Sequence, residues 1–190
     1  MKIIKMGISG EVGSFSEEAS VAYAKRAGIE LAPLFLLDME GVLSALEKGE
    51  IEQGIFPVVN LLGGLVKPAF LAMGRHLFHP IDELWHQVNQ CLLVRPGITS
   101  DQITTIVSHP QGLAQCKHYL AKEFKGIPQL EWLDTAKAAK DLAKGELPST
   151  AAVIAPERSA IVYGLTLLAS KIQDSEVNLT AFIIAEREKP

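Results

Sequence analysis

Ser108-His109-Pro110-Gln111, with Gln115 and Cys116 just beyond, brings a hydroxyl, an imidazole, two amides and a thiol together where an apolar run gives way to a helical pattern. Serine beside histidine suggests a nucleophile with its base. Neighbouring residues on a strand point to opposite faces, however, and no G-x-S-x-G elbow is present, so a hydrolytic triad is not expected. The plainer reading has Ser108 capping the helix that follows and His109 packing at the surface. A second group is Gly10-Glu11-Val12-Gly13-Ser14 with Phe15-Ser16, placed after one apolar run and ahead of a helix. Its backbone N–H groups and two hydroxyls could hold an anion, or Ser14 or Ser16 could simply cap the helix. Without G-x-G-x-x-G or a P-loop lysine it does not read as a nucleotide site. His76 and His79 have the spacing of metal ligands, but Pro80 directly after the second weakens a zinc reading. Cys91 and Cys116 have no C-x-x-C or Cys/His spacing and are expected to be buried thiols. Thr180, in Asn178-Leu179-Thr180-Ala181-Phe182, is by itself an ordinary strand residue.

Positioning these groups takes strands and helices in alternation, and short β-rich runs do alternate with helical patterns along the chain, which predicts an α/β protein with mostly parallel sheets. Strands are expected at 2–8, 54–59, 87–94, 102–107, 130–133, 151–154 and 180–185. Helices are expected at about 16–27, with Glu17 and Glu18 suiting a helix start, and at 39–48, 111–122 and 135–144. Gly63 and Gly64 break the pattern after residue 59. So many strands in this length suggest two lobes, residues 1–86 with 178–190 and residues 87–177, with a ligand cleft between them.

The 190 residues are enough to bury a sizeable core, and 48% hydrophobic with 21% charged residues is an ordinary globular balance. The most apolar stretches, Leu31 to Leu37 and Val58 to Val66, are interrupted by Pro33 and by Asn60, Gly63 and Gly64, whereas a membrane-spanning helix needs about 20 residues. A net charge of -4, with 18 basic residues scattered among 22 acidic ones, gives no footprint for a nucleic acid backbone. The N-terminus reaches Gly, Ser and Glu before a signal-peptide core could develop, so a cytoplasmic location is expected.

Five blocks in order carry a resemblance: Gly10 to Ala19; Pro57-Val58-Val59-Asn60-Leu61-Leu62-Gly63-Gly64; Ser108 to Cys116; Ala151 to Gly164 with Glu157 and Tyr163; and Ile172-Gln173-Asp174 to Thr180-Ala181-Phe182. Together they resemble the catalytic domain of the prephenate dehydratase family nearly end to end. The resemblance implies two α/β lobes similar to periplasmic binding proteins, with the active site in the cleft. It implies a cofactor-free lyase of phenylalanine biosynthesis, with no metal, that converts prephenate to phenylpyruvate with loss of carbon dioxide and water, or treats arogenate similarly. A homo-oligomer is also implied. Thr180, Ser108, Gln115 and Asn60 fall on the family's catalytic positions, and Ser14, Phe15, Ser16, His109 and Phe182 are the substrate-binding candidates. The family's Glu-Asn-Ser is Val59-Asn60-Leu61 here, its Thr-Arg-Phe is Thr180-Ala181-Phe182, and its usual proline after the first glycine is Glu11. The missing arginine could be a lost ligand contact, or it and the missing glutamate could be an ion pair replaced by apolar packing. The family's regulatory ACT domain would follow the last strand, so the catalytic domain alone is expected. A non-catalytic module binding an aromatic-pathway acid, and a lyase of different outcome, stay open beside the dehydratase.

Overall fold

A computed structural model describes residues 2–188. The chain divides into two compact units. Unit 1 holds the residues up to Glu11, Phe15–Gln87 and those from Leu179 onward; unit 2 holds Val12–Ser14 and Val88–Asn178.

In unit 1 the order is β1 (Ile3–Ser9), α1 (Phe15–Ala27), β2 (Glu30–Leu36), α2 (Met39–Glu47), β3 (Gln53–Asn60), β4 (Gly64–Leu65), α3 (Lys67–Met73) and β5 (Phe78–Gln87). The last strand of the chain, β11 (Leu179–Arg187), returns to this unit. The sheet runs β2-β1-β3-β11-β5, with β4 beside β3. Strands β1, β2 and β3 are parallel, while β11 is antiparallel to both its neighbours. The two faces of the sheet carry different cores. Val42, Leu43 and Leu46 of α2 and Ala69 and Ala72 of α3 pack with Phe56, Ala181 and Ala185. Ala19 and Tyr23 of α1 pack with Met6, Ile8, Ile55, Phe182 and Ile184. Helix α2 starts where Asp38 Oδ1 accepts the Gly41 N–H at 2.9 Å, a side-chain cap on an otherwise unpaired donor.

In unit 2 the order is β6 (Cys91–Val94), a 3-10 turn (Ser100–Gln102), β7 (Thr105–Ser108), α4 (Pro110–Gln115), α5 (Lys117–Glu123), β8 (Gln129–Glu131), α6 (Thr135–Lys144), β9 (Ala151–Ala155), α7 (Glu157–Tyr163) and β10 (Thr166–Ala169). The sheet runs β10-β6-β9-β7-β8. Strand β9, Ala-Ala-Val-Ile-Ala, is buried along its whole length, as an unbroken apolar run at the centre of a sheet covered on both faces should be.

Both sheets are mixed, a correction to the mostly parallel sheets expected from the alternation of elements. In unit 1 the antiparallel partners are β11 and β5, and in unit 2 they are β10 and the β6–β9 pair. The strand expected over 87–94 is two elements, since β5 ends at Gln87 and β6 begins at Cys91. Most of β5 went unread because it is an exposed edge strand, with Pro80 and charged residues in place of an alternating apolar face. The helix expected over 111–122 breaks at Cys116, whose φ of -113° and ψ of 18° leave the helical basin. Asp174 occupies the break: its N–H donates to the Gln115 carbonyl at 2.7 Å, and its carboxylate accepts the His118 N–H at 3.0 Å. Orphaned helix-end groups on both sides are thereby paired. Among the described residues no helix is long and apolar enough to cross a membrane.

Candidate functional site

In unit 1 the functional candidates converge on the end of β3 and the start of β11. Asn60 and Thr180 are direct partners in the antiparallel register. Residue 60 closes β3, and its side-chain Oδ1 accepts the Leu62 N–H at 3.0 Å and the Gly63 N–H at 2.7 Å, a local turn in which the asparagine oxygen caps the chain that follows. With the oxygen committed to the turn, the amide nitrogen must point the other way, and Nδ2 donates to Thr180 Oγ1 at 2.9 Å and to the Leu179 carbonyl at 3.3 Å. Thr180 is 7% exposed, and its oxygen receives a hydrogen bond while its own O–H stays directed to no acceptor among the described residues. A hydroxyl that accepts a hydrogen bond is a stronger donor for it.

The motif departures lie on the other side of this strand pair. Val59 and Ala181 are opposite each other, one position along from Asn60 and Thr180, and both belong to the apolar core against α2 and α3. Successive residues alternate faces, so an apolar pair here packs into the core and leaves the Asn60–Thr180 pair intact. Of the two readings of the missing charges, this placement favours replacement by apolar packing. Leu61 sits exposed in the turn. Phe182 is 1% exposed within the cluster of Met6, Ile8 and Ile55, with its ring edge-to-face with His86. That makes it a core residue, unlike the substrate contact expected of it. Phe15 is half-buried against the same cluster, and the Ser16 hydroxyl lies 3.2 Å from that of Ser9.

In unit 2, Ser108 is fully buried at the end of β7 and donates to the Ile154 carbonyl at 2.7 Å. It does not cap the helix that follows: His109 does, its Nδ1 accepting the Gln111 N–H at 3.2 Å. The expected cap thus passes from Ser108 to His109, because Ser108 on the strand turns inward while His109 stands at the helix entry. His109 also lines a recess of about 560 Å³ with Trp132 and Lys137. Gly112 makes room for Ser108, since a Cβ there would meet the Ser108 Oγ at 2.7 Å. Gln115 ends α4, and its Oε1 accepts from Gln90 Nε2 at 2.9 Å and from Asn178 Nδ2 at 3.0 Å. Cys116 beside it is fully buried; burial chiefly, and the Asp174 carboxylate next, push its thiol well above the usual range, so it is a neutral packing group with no nucleophilic character.

The Gly10–Ser14 turn is divided between the units, with Val12–Ser14 in unit 2. There the Val12 carbonyl accepts from the Tyr163 hydroxyl at 2.7 Å and the Gly13 carbonyl from the Ser159 hydroxyl at 2.9 Å. Gly13 has a φ of +86°, and a Cβ would come within 3.0 Å of Ser159 Oγ, so this residue must be glycine on two counts. Ser14 is buried. His76 does not stand with His79, which is exposed; it lies between Glu47 at 2.8 Å and Glu40 at 2.9 Å.

Three residues escaped the sequence reading: Gln90, Asn178 and Asp174 as organisers of Gln115. Gln90 carried a faint signal, an amide immediately before the apolar run Cys91 to Val94, and Asn178 another, an amide two residues ahead of Thr180. Neither signal names a partner, since the partners lie 25 and 63 residues away.

The family model described as prephenate dehydratase matches residues 6–190. The chloroplastic arogenate dehydratase/prephenate dehydratase 6 of Arabidopsis thaliana is 36% identical over 186 residues, which cover 97% of this chain and 44% of that protein. The chain thus spans under half the length of the curated relatives it matches. Among solved structures, a prephenate dehydratase in complex with L-Phe from Arthrobacter aurescens has a TM-score of 0.87 at 24% identity, covering 98% of this chain and 61% of that one. A periplasmic substrate-binding protein of an ABC transporter from Coxiella burnetii has a TM-score of 0.52 at 17% identity, over 99% of this chain and 85% of that one. At these identities the two structures bear on fold alone.

Proposed function

Because the chain belongs to the prephenate dehydratase family, we propose that it acts as a dehydratase on prephenate or arogenate, releasing carbon dioxide and water to give phenylpyruvate or phenylalanine. In that reaction the bond between C1 and its carboxylate breaks. The electron pair enters the ring, which becomes aromatic as the C4–O bond breaks, and the departing hydroxide takes up one proton to leave as water. The demand on the protein is to orient an anion and to supply a hydrogen-bond or proton donor at C4.

The observation that carries the reading is the Asn60–Thr180 pair. A turn fixes the asparagine amide, the amide fixes and polarises the threonine oxygen, and a hydroxyl is left with its hydrogen available to a departing oxygen. We assign Thr180 to the leaving hydroxyl and Asn60 to holding Thr180. Gln115 is assigned to positioning the ring and carboxylates, and Ser14 and Ser16 to an anionic group; Ser108, fully buried with its hydroxyl donated to the Ile154 carbonyl, is assigned to holding the end of β7. Val59 and Ala181, being core residues of the opposite face, do not count against activity.

The test is to incubate the protein with prephenate and with arogenate, following loss of each together with formation of phenylpyruvate or phenylalanine. Thr180→Ala is expected to lower turnover by roughly 10²-fold or more, the range for a lost general acid, while Thr180→Ser retains most of it. Wild-type turnover in Thr180→Ala refutes the assignment. Substrate loss without either aromatic product indicates a lyase of different outcome, and ligand-dependent thermal stabilisation without turnover indicates a binding module.

A further inference from the structure

Within unit 2, three carboxamides meet at one oxygen. Gln115 Oε1 accepts from Gln90 Nε2 at 2.9 Å and from Asn178 Nδ2 at 3.0 Å, and all three side chains are buried. An amide oxygen has two lone pairs, so these donors saturate it and turn Gln115 Nε2 away from both. Gln115 cannot turn over alone, because its NH₂ would then face two NH₂ groups. The segments that supply the donors are themselves tied together. The Gln90 N–H donates to Gln173 Oε1 at 3.0 Å, the Ile172 N–H to the Gln90 carbonyl at 2.9 Å, and the Val88 N–H to the Asn178 carbonyl at 2.7 Å.

Gln90 adds an observation that folding does not explain. It is 3% exposed, and its Oε1 has no hydrogen-bond partner among the described residues. A buried acceptor without a donor costs stability, and an apolar side chain of the same length would remove that cost. What an apolar side chain could not do is donate to Gln115.

We infer that Gln90 and Asn178 are positioning residues that lock the Gln115 side chain with its NH₂ directed away from them, so that it meets substrate as a hydrogen-bond donor. The inference rests on the substrate-positioning role proposed above for Gln115, and it names what holds that role in place. The donor suits the anionic carboxylates of prephenate or arogenate, which accept and do not donate.

Gln90→Met keeps the volume and removes both the donor and the orphaned acceptor. KM for prephenate is expected to rise about tenfold with kcat within about twofold, the pattern of lost uniform binding, and the thermal midpoint is expected to hold or rise. In ¹⁵N spectra of the full chain, the Gln115 side-chain amide signals should shift or broaden. Asn178→Asp puts an acceptor where the donor stood; it should turn the Gln115 NH₂ towards itself and raise KM further, as should Gln115→Glu, which presents oxygen on both sides. Unchanged KM and unchanged Gln115 signals in Gln90→Met overturn the inference, and so does a rise in KM matched by a lowered midpoint, which marks a merely structural residue. If Gln115→Ala itself turns over prephenate and arogenate like wild type, the functional role of Gln115 fails, and the ¹⁵N signals in Gln90→Met still decide whether Gln90 holds it.

Discussion

Unit 1 and unit 2 each aim one carboxamide by saturating its oxygen, but they draw the donors from opposite sources. In unit 1 the Asn60 oxygen is held by the N–H groups of Leu62 and Gly63, two and three residues along the chain. In unit 2 the Gln115 oxygen is held by side chains of Gln90 and Asn178, 25 and 63 residues away. A turn supplies its donors as part of the backbone, so Asn60 is aimed as soon as β3 ends. Gln115 is aimed only when three distant segments are packed, which makes its orientation a property of the whole unit. The charges differ in the same sense. Unit 1 places the His76 ring between Glu40 and Glu47, carboxylates that are themselves well exposed, whereas unit 2 buries Asp141 at 2% exposure between Trp132 Nε1 at 2.8 Å and Lys137 Nζ at 2.9 Å.

The largest effect expected from breaking this comparison is at Asn60. Asn60→Asp keeps an oxygen for the turn but removes the donor to Thr180, whose O–H then points at the carboxylate. Turnover should fall by roughly 10²-fold or more with the unfolding midpoint little changed, as measured by steady-state kinetics beside thermal melts. Near-normal turnover would mean that Thr180 needs no aiming. Next comes Asp141→Ala, which removes the buried acceptor of Lys137 Nζ and of the Trp132 N–H and should destabilise unit 2 by about 3 kcal/mol in urea unfolding. Burial, the largest single influence on the Asp141 carboxyl, raises its pKa. Hydrogen bonds from Lys137 and Trp132, with the Lys137 charge, outweigh burial and leave it below the usual 3.8. The stability it adds is therefore present above the unfolded carboxylate value and lost as pH falls through the lower folded one; Asp141→Ala should flatten that acid limb.

His76→Gln should be the mildest. Glu47 first and Glu40 next raise the His76 pKa above the usual 6.5, so its contribution is full below that value and fades as pH rises through the folded one. Wild type should melt no more than about 3 °C above the variant at pH 6, and the difference should vanish in alkaline buffer. A persistent gap there would show that the ring matters as a packing group.

Much of the α/β organisation was legible along the chain, because helix α2, helix α6 and strand β9 announce themselves by local spacing: Val42, Leu43 and Leu46 on one helical face, alanines and Leu142 on another, an unbroken apolar run at 151–155. Strand β5 was not, since an exposed edge strand has no buried face to imprint a pattern, and the break at Cys116 was not, since it depends on Asp174 from another part of the chain. Of the candidate residues in the two units, the sequence by itself determined which groups are present, four uncharged donors and acceptors at Asn60, Ser108, Gln115 and Thr180, and the turn that aims the first of them, because a turn is a matter of residues two and three apart. Only the tertiary structure decided that Val59 and Ala181 face the core, that Ser108 turns inward while His109 caps, and that Gln90 and Asn178 hold Gln115. Those outcomes depend on strand register and on hydrogen bonds between residues far apart in sequence, and a pairing of that kind has no local signature until the chain has folded.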